Sequence, residues 1–148
     1  IFRELNQAAD GLYRRLDSLF TVKDMDALPF TDHSREVNLD NFSGAGVYME
    51  IRQHHLLPFS FQESQRGVWD SRSRFAMSSM NEVGDLKAQI THHPQYSDTE
   101  DDTLRTSFVA VVTGVAGLAG SYLRKVVRRH TSEDRAVFIF RLLSETML

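Results

Sequence analysis

Cysteine is absent from the chain. That excludes disulfides, thiolate zinc centres and a cysteine nucleophile, and it fits a reducing compartment, so an intracellular, cytoplasmic or nuclear location is expected. No apolar run approaches the roughly 20 residues a membrane-spanning helix needs, and no leader pattern opens the sequence. A membrane span is therefore not expected. Neither sign of charge dominates. The formal net charge of −3 supplies no basic field for nucleic acid. Catalytic signatures are missing too: there is no G-x-S-x-G, no H-E-x-x-H and no G-x-G-x-x-G, and no acid–base pair is evident. A non-enzymatic protein without metal or cofactor is the expectation. The chain begins at Ile1, as expected of a piece of a longer protein.

What is present is globular. The 148 residues are 41% hydrophobic and 25% charged, without repeats or low-complexity segments, which suits one domain over 1–148 burying about 70% of its unfolded surface. Residues 1–20 carry an apolar stripe, Leu5, Ala9, Leu12, Leu16 and Leu19, flanked by Phe2, Tyr13 and Phe20. The opposite side holds Arg3, Gln7, Arg14 and Asp17, so an amphipathic helix is predicted, weakened at Gly11. Packing on a core is the plainer reading of that stripe; a seam for a protein partner is the other. Residues 21–45 read as loop, with turn signals at Pro29, Asp32, Asn38, Asp40 and Gly44. From Gly46 to Phe59 the pattern alternates like a strand, with Val47, Met49 and Ile51 on one side. Ser60-Phe61-Gln62-Glu63 has the form of a capping box, opening a helix to about residue 78 through Phe61, Val68, Trp69, Phe75 and Ala76.

The rest reads as strands. Leu86–His92 is a short one, Pro94–Asp102 an acidic loop, and Leu104–Val115 an apolar strand. Gly114, Gly117 and Gly120 are expected to break or bulge the chain. Tyr122–His130 and Arg135–Leu143 flank Thr131-Ser132-Glu133-Asp134 as a hairpin. The class is α+β: an antiparallel sheet with an N-terminal helix and one inserted helix (core 46–148).

Few residues suggest chemistry. His54-His55 and His92-His93 each send only one imidazole to a given sheet face, which argues against a metal site. The basic group Arg124, Lys125, Arg128, Arg129, His130 and Arg135 could meet phosphate, but alternation splits it between faces and favours a solvated hairpin without nucleic acid. Arg141 sits in the apolar run Val137–Leu142 beside Val137 and Ile139. It either marks the solvent end of that face or lines a polar spot in a cavity.

Two segments carry a family likeness. "LPFSFQESQRGVWD" (57–70) and "VVRRHTSEDRAVFIFRLLSE" (126–145) together resemble the START-like domains of the oomycete mating-specific protein family. Those domains show a strand ending in Leu-Pro-Phe, a helix carrying tryptophan and a late hairpin; here His130 replaces an aromatic and Phe140 a common tryptophan. The resemblance implies a START/Bet v 1-like helix-grip fold, in which a sheet curls around a C-terminal helix and encloses a cavity for a lipid or sterol-like ligand. The sequence departs from this at its end: Thr146-Met147-Leu148 leaves no residues for the gripping helix, so either the chain is truncated or the two helices present cover the sheet. On this reading the inward residues Met49, Ile51, Phe108, Ala110, Val137, Ile139 and Arg141 would contact the ligand, although each also suits ordinary core packing. The alternative is a regulatory or protein-interaction module of a larger protein, docking through the open sheet and the N-terminal helix.

Overall fold

The computed structural model describes residues 1–28, 36–42, 46–74, 82–83, 88–113 and 119–147. In chain order the elements are α1 (Phe2–Arg14), α2 (Leu16–Val22), a 3-10 turn (Met25–Ala27), β1 (Glu36–Phe42), β2 (Gly46–Arg52), α3 (Phe61–Arg74), β3 (Glu82–Val83), β4 (Ala88–Glu100), β5 (Thr103–Thr113), β6 (Ala119–Thr131) and β7 (Ala136–Thr146). The class is α+β with antiparallel sheets. Several sequence signals, at Pro29, Asp32, Gly44, Phe75, Ala76, Leu86, Gly114 and Gly117, lie outside the described residues.

The chain divides into two compact units, Arg15–Phe59 and Ile1–Arg14 with Ser60–Leu148. In the first, β1 and β2 form an antiparallel hairpin in which Leu39 faces Met49 and Val37 faces Ile51. The polar segment expected to be loop therefore contains a strand. The strand expected to reach Phe59 stops at Arg52, where polar tethers take over. The Arg52 guanidinium donates to the Lys23 carbonyl, and His54 Nδ1 lies 3.1 Å from the Leu28 carbonyl oxygen. Pro58 thus follows an irregular segment rather than ending a strand. The helix predicted over 1–20 breaks at Arg15, whose φ −103° and ψ 4° leave the helical region.

The second unit is built on a sheet of order β3-β4-β5-β6-β7. Register assigns its faces, because directly opposed residues share a side. Thr103, Arg128 and Ile139 line up on one face; Leu104, Val127 and Phe140 line up on the other. Both faces are buried near the middle. Val126 and Val127, adjacent on β6 and so pointing to opposite faces, are both 0% exposed. Each such side chain contributes roughly 1.5–3 kcal/mol.

The amphipathic helix α1 covers the first face. Ala9, small enough for close approach, is fully buried. Phe2 meets Tyr96 of β4, Asp10 lies 3.3 Å from Arg128, and Tyr13 stacks on His130 at 3.8 Å with the rings 5° from parallel. Helix α3 meets the second face through its tryptophan. Trp69 lies 6.4 Å from the Phe138 ring, and the Arg129 guanidinium sits 4.5 Å over the indole. The capping box is formed: Glu63 Oε2 accepts from the Ser60 amide at 3.0 Å and from its hydroxyl at 2.7 Å, and the Glu63 amide donates to Ser60 Oγ at 3.3 Å. These bonds to Ser60 hold the Glu63 carboxyl below its ordinary pKa.

The acidic stretch 94–102, expected to be a loop, lies mostly in β4 and its turn. Among the described residues β3 pairs only with Gln89 and Ala88, so Pro94 has no ladder to break on that side, and a register shift between Pro94 and Tyr96 marks a bulge. Asp101 makes the turn with φ 50°, a left-handed conformation aspartate accepts. Gly120 does not break its strand. A Cβ there would stand 2.9 Å from Met147 Sδ, so glycine makes room for the far end of the chain.

Two substitutions test the attachment and start of α3. Trp69→Ala should cost about 2 kcal/mol, below the core range because the indole is only half-buried and part of its contact is cation–π. Ser60→Ala should cost about 1 kcal/mol. Chemical denaturation measures both, and unchanged midpoints would contradict this account of the helix.

Candidate functional site

Two features of the sheet unit lie beyond its core. The first is a polar cleft of about 540 Å³ at the β4–β5 turn, bounded by Tyr13, Asp102, Arg105, Arg128, Arg129 and His130. Its cations are paired. Arg129 Nε donates to Asp102 Oδ1 at 2.7 Å, while Arg105 donates to Asp98 at 2.9 Å and Glu100 at 3.1 Å. Arg128 faces Asp10. On β6, Arg124 pairs with Glu145 of β7. A phosphate entering here would have to displace carboxylates already in place, so the basic hairpin is a self-neutralised surface. His130 sits at its rim with a pKa lowered by burial first and then by the Arg128 charge, against the opposing pull of Asp10 and Asp102.

The second feature is the open side of β7. No strand lies beyond it among the described residues. Met147 N–H donates to the Gly120 carbonyl at 2.9 Å and Ser132 N–H to the Arg135 carbonyl at 2.8 Å, which sets the phase of the β6–β7 ladder. Bonded and non-bonded pairs alternate in an antiparallel ladder. Odd-numbered β7 residues therefore turn their amides and carbonyls to β6. Those of Phe138, Phe140, Leu142 and Ser144 turn outward. Along this outward side stand Phe140 and Leu142, 42% and 58% exposed.

The residues singled out in the sequence are distributed as follows. Phe108 (buried) and Ala110 (half-buried) lie on the face that α3 meets, since Phe108 opposes Leu123 and Ala110 opposes Ser121. Ile139 (buried), Val137 (half-buried) and Arg141 lie on the α1 face, opposite Arg128, His130 and Val126. The sheet separates these two groups, so they do not line one cavity. Arg141 is exposed, marking the solvent end of its face. Met49 and Ile51 belong to β2 in the other unit. His92 and His93 oppose Ala110 and Val109 and so point to opposite faces. His92 meets Phe108 edge-on at 6.0 Å, and burial lowers its pKa. Among the described residues no group of three or more His, Asp or Glu side chains is placed to hold a metal ion, and no helix is long and apolar enough to cross a membrane. Sequence reasoning missed the ladder phase of β7, which only register supplies.

No family model, curated protein or solved structure matches the chain.

Because the folded pKa of His130 lies below the ordinary value of about 6.5, the unfolded chain takes up that proton first as pH falls. Its stabilising contribution is complete above pH 6.5 or so and is lost as pH drops from there through the folded value. Unfolding free energy should thus decline between pH 7.5 and 5.5. The slope should be smaller in His130→Phe, which keeps the ring stack on Tyr13. Equal slopes in the two proteins would contradict the assignment.

Proposed function

We propose that this chain is a protein-interaction module whose docking element is the open β7 edge and the apolar side chains beside it. The observation that carries the reading is the alternation of β7: one set of backbone groups completes the ladder to β6, and the other set faces outward next to exposed Phe140 and Leu142. Unpaired edges invite another strand, and proteins that leave them long and apolar commonly use them. The residues exposed along β7 include two leucines and a phenylalanine beside one arginine and one glutamate, so no net charge guards this edge.

The hydrophobic-ligand reading, drawn from the START-like resemblance, would need its ligand-contacting side chains on one face under a gripping helix. Phe108 and Ala110 are divided by the sheet from Val137, Ile139 and Arg141, and the cleft described above is polar and charged. The interaction reading is preferred for that reason.

A photoreactive side chain at the edge distinguishes the two. Phe140→p-benzoylphenylalanine, irradiated in the full chain inside cells, should yield covalent adducts of discrete protein mass. Adducts to lipid alone, or none, would overturn the proposal.

A further inference from the structure

We propose that the strand received by this edge is β7 of a second copy, the two chains pairing antiparallel about a two-fold axis at Leu143. The inference rests on the interaction reading above and names its partner.

A two-fold pairing is self-complementary, so each β7 residue meets its mirror position about a centre. Outward backbone groups belong to even-numbered residues, and across the new seam even must oppose even. Centres at Arg141, Leu142 and Leu143 all satisfy this. The first sets Arg141 against its own copy, a like-charge clash. The second sets it against Leu143. The third sets Arg141 opposite Glu145 of the other chain, twice over, on the same sheet face, with Leu142 opposite Ser144 and Leu143 opposite itself. Opposed unlike charges favour that register and like charges disfavour the first.

Two details support it. Glu145 binds Arg124 through Oε2, so Oε1 is available to a second guanidinium. Arg141 has no ion-pair partner among the described residues and is exposed. Coverage also changes along the strand. Ile139, under α1, is 4% exposed, whereas residues 140–147 are all exposed. The exposed stretch is the one this register uses. Joining two sheets there would place Leu143 against Leu143 and extend the sheet through the axis.

Cysteine scanning reads the register directly, because the chain has no cysteine of its own. Odd-numbered residues form the non-bonded pairs of the seam, whose Cα atoms stand about 4.5 Å apart, within disulfide reach. Under mild oxidation Leu143→Cys should cross-link to a dimer almost completely. Arg141→Cys and Glu145→Cys should cross-link poorly alone and efficiently when mixed. Leu142→Pro removes an outward amide without touching the ladder to β6, so it should give a monomer with unchanged circular dichroism. A cross-linking maximum at another position overturns the register. A wild-type chain that is monomeric at the highest attainable concentration overturns the second-copy inference. If that monomer still gives heterologous protein adducts from position 140, only this inference falls. If it gives none, the interaction reading falls with it.

Discussion

The sheet unit depends on β6 being buried on both sides. Val126 and Val127 are adjacent and both fully enclosed, which a strand achieves only when each face has a cover and each edge a neighbour. Strands β5 and β7 supply the neighbours, α1 covers one face, and Trp69 of α3 reaches the other. The charged residues on the same strand follow from this position. Arg128 turns toward α1 and finds Asp10; Arg129 turns the other way, under the indole of Trp69, and finds Asp102. The hairpin that looked like a basic patch is therefore a set of struts between strands and helices.

The same arrangement leaves one part of the sheet unfinished. Ile139, on the α1 face, is buried, whereas the residues from Phe140 to Met147 are exposed. Among the described residues no strand pairs with the far side of β7, so no ladder takes up its outward backbone groups there. Beyond the core, the described residues of the sheet unit hold a self-neutralised cleft and a strand whose alternate backbone groups turn away from the sheet.

Much of this was legible in the sequence. The late hairpin announced itself through alternation and a polar turn, and the capping box at Ser60 through two residues at fixed spacing, both local signals. The misreadings were also local. The stretch 94–102 looked like loop because an edge strand exposed to water needs no apolar face and tolerates Pro94. The break at Arg15 was hidden because the apolar stripe runs unbroken across it. The division of the candidate ligand residues was not readable, because it depends on how β5 pairs with β6. A shift of one residue there exchanges every side chain between faces, and the glycine-rich connection between them fixes no register from sequence.

Amide hydrogen exchange resolved along β7 in dilute solution tests the central claim most directly. Ile139, Arg141 and Leu143 should be slow, held by β6, while Leu142 and Ser144 exchange fast, and raising the concentration should slow Leu142 and Ser144 alone. Uniform protection along the strand at every dilution would show that β7 is not an open edge and would contradict the account.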